Sequence, residues 1–123
     1  MALTKTVTAQ FTSQDIGEQA EYALSSITAV DLSAVLLVDV EAVVVYNASG
    51  TIAAIVRIYA SSDNTNWGSS PVDQFTMPIT AGSTIRWSKA VIPSMKYLKA
   101  TIFNNQGATS YHITGSVNVT TQA

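Results

Sequence analysis

The twelve residues Val35–Tyr46, V-L-L-V-D-V-E-A-V-V-V-Y, constrain the fold more than any other stretch of this chain. Every even position (Leu36, Val38, Val40, Ala42, Val44, Tyr46) is apolar, whereas the odd face sets Asp39 and Glu41 among Val35, Leu37, Val43 and Val45. A period of two is a strand period, and the even face predicts complete burial. Wound as a helix, the same residues would crowd β-branched side chains against successive turns and give no continuous polar stripe. The two carboxylates then need water or a cationic partner, because an unpaired buried charge is very costly.

The next residues along the chain suggest a partner. Asn47-Ala48-Ser49-Gly50-Thr51 predicts a three-residue hairpin loop with Gly50 in the left-handed conformation, leading into a second long strand over Thr51–Ala60. That register sets Glu41 opposite Arg57, Asp39 opposite Tyr59, Val43 opposite Ile55 and Val44 opposite Ala54. The Glu41–Arg57 pair fits a solvated cross-strand bridge contributing at most about 1 kcal/mol. It fits a contact between subunits as well.

The remaining segments repeat the strand pattern. Leu3–Phe11 alternates as an edge strand or extended arm, with Thr4, Thr6 and Thr8 on one side. Residues 13–21 read as a loop with a short turn. Tyr22–Ile27, Ala29–Leu32, Phe75–Ile79, Ile85–Val91, Tyr97–Phe103 and Tyr111–Val119 read as strands, separated by turns such as Ala81-Gly82-Ser83 and Pro93-Ser94. In the last strand Tyr111, Ile113, Gly115, Val117 and Val119 point inward, with His112, Thr114, Ser116, Asn118 and Thr120 outward. The expected fold is all-β: an antiparallel two-sheet β-sandwich, jelly-roll-like, of about eight strands. Residues 1–12 form its N-terminal strand or arm, and residues 13–123 a single sandwich domain.

Composition bears on what such a domain does. Only 11% of the chain is charged, against about a quarter in ordinary soluble domains. Ser, Thr, Asn and Gln supply the missing polarity, and these groups tolerate burial between subunits better than Lys or Glu. Self-association is therefore expected, with a trimer favoured. Residues 1–50 carry Lys5 against Asp15, Glu18, Glu21, Asp31, Asp39 and Glu41; the rest carry Arg57, Arg86, Lys89, Lys96 and Lys99 against Asp63 and Asp73. The halves attract, and five scattered cations make no nucleic-acid patch. No cysteine is present, the start lacks the apolar run of a signal peptide, and no stretch reaches the ~18 apolar residues of a membrane span. Synthesis in a host cytoplasm, with no membrane or nucleic-acid partner, is the expectation.

No catalytic motif is legible. His112 is the only histidine, and no serine sits in a nucleophile-bearing motif. Asp63, Asn64 and Asn66 lack the remaining ligands of a calcium loop and fit a turn that caps its own backbone. Neither a cofactor nor a metal is called for. Asn47-Ala48-Ser49 and Asn118-Val119-Thr120 match the glycosylation pattern without a secretion signal. Trp67, with Asp63, Asn64 and Asn66 beside it, is a candidate platform for a glycan, although aromatic residues in sandwiches also serve as core or interface anchors.

The run Ile58–Phe103 contains I-Y-A-S-S-D-N-T-N-W, a short strand with Phe75, I-R-W-S-K-A-V, and I-P-S-M-K-Y-L-K-A-T-I-F. Its order of Ser61 or Ser62, Asp63, Trp67, Gly82, Pro93, Tyr97, Leu98, Lys99 and Asn104 resembles β-sandwich domains of small tailed-phage virion proteins. The pattern covers a little over a third of the chain and is shared with carbohydrate-binding modules. The resemblance implies a non-enzymatic structural virion protein, a head decoration or cement protein on the phage head exterior, with itself and a major capsid protein as partners. Candidate contact residues are Ala2, Leu3, Thr4, Lys5 and Val7 of the arm, with Asp39, Glu41 and Arg57. The alternatives are a carbohydrate-binding module and a small shell-forming jelly-roll capsid protein.

Overall fold

The computed structural model describes residues 4–107 and 110–123. It is a two-sheet antiparallel sandwich of nine strands: β1 (Lys5–Ile16), β2 (Ala20–Glu21), β3 (Val30–Asp31), β4 (Leu37–Val45), β5 (Ile55–Ser61), β6 (Asp73–Thr76), β7 (Thr84–Val91), β8 (Tyr97–Asn104) and β9 (Ile113–Gln122). One sheet runs β1-β9-β4-β7; the other runs β2-β8-β5-β6, with β3 also on β8. Because β2 and β3 share one edge of β8, they act as a single interrupted strand, and the order is that of an eight-stranded jelly roll.

The even face of β4 is buried as its alternation requires: Val38, Val40, Ala42 and Val44 join Val117 and Val119 of β9 against Val56, Ile58, Ala100 and Ile102 of the facing sheet. Leu36 is the exception and lies exposed just ahead of the strand. The sheets approach so closely at Gly115 that a Cβ there would stand 2.8 Å from Ile102 Cδ1.

The expected hairpin between β4 and β5 does not form. These strands lie in different sheets, so Glu41 and Arg57 never face each other. Gly50 does not take a positive φ; among the glycines described only Gly82 does, at 70°. Residues 47–50 instead make a turn in which Gly50 N–H donates to Asn47 O and Ser49 N–H to Asn47 Oδ1. The chain then crosses over, held where the Tyr46 hydroxyl accepts from Ala54 N–H and donates to Pro78 O. In a jelly roll most successive strands alternate between sheets, and a strand's alternation is the same whichever sheet it joins. Among the described residues only β5 and β6 pair as sequence neighbours, joined by residues 62–72.

Lys5–Ile16 form a twelve-residue edge strand, laddered to β9 from Lys5↔Gln122 to Ile16↔Ile113. Lys5–Gln10 are therefore an integral part of a sheet, not a free arm, and strand structure continues past residue 12 into the stretch expected as loop. Two irregularities, at 9/11 and 11/14, break the alternation. The first sends both Gln10 and Phe11 inward, leaving Val7 and Ala9 on the outer face. Tyr22–Ile27, expected as a strand, instead contains a 3-10 turn at Leu24–Ser26.

Candidate docking face

The sandwich has two outer faces, and the chain covers one of them itself. On the five-stranded sheet, residues 20–28 run along the edge of β8, and the Glu21 side chain reaches over to Tyr59 and Arg57 of β5. Thr101 donates its hydroxyl to Tyr22 O at 2.7 Å, Lys99 Nζ donates to Leu24 O at 2.9 Å, and the Tyr59 hydroxyl reaches the Glu21 carboxylate at 3.2 Å. Burial, then the Glu21 charge, pushes the Tyr59 phenol above its ordinary value. Arg57 lies flat on Phe103, its guanidinium carbon 4.0 Å from the ring centroid, with Glu21 at 3.5 Å. Thr101 and Tyr59 are consequently buried although they point away from the core, and Ser61 is buried under its own turn, its hydroxyl donating to Asn66 O.

Among the described residues nothing covers the outer face of the β1-β9-β4-β7 sheet in this way. Register places Lys5, Val7 and Ala9 of β1 beside Gln122, Thr120 and Asn118 of β9, then Leu37, Asp39 and Glu41 of β4, then Ala90 and Ser88 of β7. Along β9 it is hydroxyls and amides. To either side Val7 of β1 and Leu37 of β4 stand open, 65% and 56% exposed. Glu41 accepts from Arg86, one strand away, at 2.9 Å. Among the described residues Asp39 makes no ion pair.

The candidate contact residues are thus divided. Thr4, Lys5, Val7, Asp39 and Glu41 share the bare sheet, Thr4 N–H donating to Ala123 O beyond the end of the ladder. Arg57 belongs to the covered sheet, and Ala2 and Leu3 lie outside the described residues. Alternation alone could not find the bare face, because what separates the two sheets is the course of residues 20–28.

Asp63, Asn64, Asn66 and Trp67 do come together in one turn. The Asp63 carboxylate accepts from Thr65 N–H, Asn66 N–H, Asn66 Nδ2 and Ser61 Oγ, and Asn64 takes φ 61°. These donors, the Asn66 backbone N–H foremost, hold Asp63 far below the usual carboxylate range. Trp67 is half-buried, and the Lys99 ammonium stands 4.8 Å from its ring centroid. The Asp63 carboxylate and the Ser61 hydroxyl are thus taken up within the turn itself.

One cluster escaped the sequence. His112 Nδ1 lies 2.9 Å from Asp15 Oδ2 and Nε2 lies 3.3 Å from Glu18 Oε2. The hydrogen bond to Asp15, followed by that residue's charge, raises the imidazole above its ordinary value. Residues nearly a hundred positions apart become neighbours here only because β1 pairs with β9.

No protein-family model and no curated protein sequence matches this chain. Solved structures do. The PBSX exported protein XepA aligns with 94% of the chain at 15% identity and a TM-score of 0.58. The T13 IBDV viral particle aligns with 97% at 11% identity and the same TM-score. The VP2 subviral particle of infectious bursal disease virus aligns with 96% at 12% identity and a TM-score of 0.54. The likeness is one of fold. The chain spans about a third of the length of these proteins, with 36%, 31% and 32% of each covered. Among the described residues, no helix is long and apolar enough to cross a membrane.

Proposed function

We propose that this is a non-enzymatic structural protein of a virion, a decoration or cement protein that self-associates and docks on a major capsid protein at the head exterior. The observation that carries the reading is the bare sheet: four strands whose outer face sets the hydroxyls and amides of β9 between exposed Val7 on β1 and exposed Leu37 on β4, with charge entering through Lys5, Asp39 and the Glu41–Arg86 pair. The β9 hydroxyls and amides lose less on desolvation than charges do, and Val7 and Leu37 gain from apolar contact. Repeated over a shell, many modest contacts brace it through multivalency. The sandwich fold shared with viral particle proteins supports the same reading.

Deleting residues 2–10 is not a clean test, because it removes half of β1 and the buried Gln10. Val7→Asp is cleaner, since Val7 is exposed and its backbone ladder is kept. Mixed with shells of the cognate major capsid protein and sedimented, the wild type is expected to travel with the shells and Val7→Asp to remain in the supernatant, with unchanged melting temperature. Undiminished binding by Val7→Asp, or no binding by the wild type, removes the docking reading.

A further inference from the structure

We propose that β7 is the self-association element, pairing antiparallel with β7 of a second copy about a two-fold axis through Ser88. This deepens the self-association in the proposed function and rests on it, while departing from the trimer favoured on sequence alone. An antiparallel strand edge meets its own copy only about a two-fold axis, so a dimer is its natural order.

Among the described residues β7 is hydrogen-bonded on one side only, to β4. Its eight-residue ladder, Val38↔Val91 to Val45↔Thr84, has no register shift, so the free edge is straight, whereas the other edge of this sheet, β1, is broken by two irregularities. A straight unpaired edge is a template for another strand. Apolar surface collects beside it. Trp87 is 52% exposed although it stands at an inward position opposite Ala42, and Val72 and Ile92 are exposed around an open notch of about 240 Å³ that Val91 also lines. Lys89, also at an inward position, keeps its charge but is drawn to Asp73 at 2.9 Å, which lessens its repulsion of an incoming edge.

Side-chain alternation then fixes the register. Directly opposed residues lie on the same face, so the axis must pass through a residue, and Arg86 can never meet Lys89. An axis at Arg86 or Lys89 sets like charges together. One at Trp87 sets Ile85 against the partner's Lys89. One at Ser88 sets Ile85 against the partner's Val91, Arg86 against the partner's Ala90, and Trp87 against the partner's Lys89, where the ammonium meets an aromatic ring. Ser88 is the only centre among these that avoids both like charges and an apolar–ammonium opposition.

The test is a charge swap on the axis. Wild type, Ser88→Lys and Ser88→Asp are weighed by light scattering at about 10 to 200 µM, since assembly is concentration-dependent, with melts confirming that each is folded. The wild type is expected as a dimer, each variant alone as a monomer, and their equimolar mixture as a dimer again. A wild type that stays monomeric, a trimer, or a dimer that persists in Ser88→Lys overturns the pairing. Shell sedimentation separates the two readings: a monomer that binds shells removes the β7 dimer and leaves docking, and a β7 dimer that binds no shell does the reverse.

Discussion

The two sheets of this sandwich have cores of the same kind and outer faces of opposite kinds. Behind the β2-β8-β5-β6 sheet the chain folds over itself, and outward-pointing Thr101, Tyr59 and Ser61 are as buried as core residues. Behind the β1-β9-β4-β7 sheet the same threonine-rich chemistry is open to water. Polar content therefore does not decide which face is free. Residues 20–28 are tied down by side chains: because β2 and β3 leave the middle of β8 without a strand neighbour on that edge, Gln10, Thr101 and Lys99 satisfy backbone groups that a longer strand would have taken.

The sharpest way to break that difference is at Gln10. Its Oε1 accepts from Ala100 N–H at 3.0 Å and its Nε2 donates to Thr28 O at 3.1 Å, so one buried side chain from the bare sheet seals the covered one. Gln10→Ala leaves a donor and an acceptor unpaired in the interior. A loss of about 2–4 kcal/mol is expected in urea unfolding. A loss under about 0.5 kcal/mol would show that water replaces the amide and that the seal is not structural.

A milder cut separates the cover from the core. Thr101 is fully buried and its only bond to the cover is the hydroxyl to Tyr22 O. Thr101→Val keeps the shape and strands that carbonyl, so about 1–2 kcal/mol should be lost. Amide exchange should rise at Tyr22 and its neighbours while the β4–β9 ladder stays protected. Exchange rising equally in both sheets would mean that the cover is no separate unit.

What was legible in the sequence was the face of each strand, and what was not was its neighbour. Burial along β4 and β9 follows from alternation, because the apolar side chains that alternate are the ones that pack. The β4–β5 pairing failed because the short link after Tyr46 carries turn residues that serve a crossover as well as a hairpin. Of the two readings of residues 3–11, edge strand or extended arm, the edge strand holds from Lys5 onward, and what alternation does not show is the irregularity at Gln10 that turns Phe11 inward from the face of Val7. Charge and position single out Lys5, Val7, Asp39 and Glu41, and the long-range pairing of β1, β9 and β4 gathers them on one sheet. Arg57 rests on a hairpin pairing that does not form, and its guanidinium is engaged on Phe103 instead.

The smallest effect is expected where the chain leaves the bare sheet to become the cover of the other. Asp15 lies near the end of β1 and Glu18 in the turn before β2, and both face His112 from opposite sides of its ring at the head of β9. Holding both carboxylates through ring nitrogens requires the protonated imidazole, which donates from each. The folded state raises this group above the ordinary 6.5, so it binds a proton more tightly than the unfolded chain does. The clasp's contribution is therefore complete below that value and disappears as pH climbs through the higher folded value. Stability should fall with rising pH in that window, and His112→Gln should flatten the fall without changing the melt on its alkaline side. The His112 ring resonances, followed by NMR from about pH 5.5 to about pH 8.5, should report a midpoint above that of a free imidazole. A midpoint at or below it would mean that the carboxylates do not hold the ring, and that this corner is joined by backbone pairing alone.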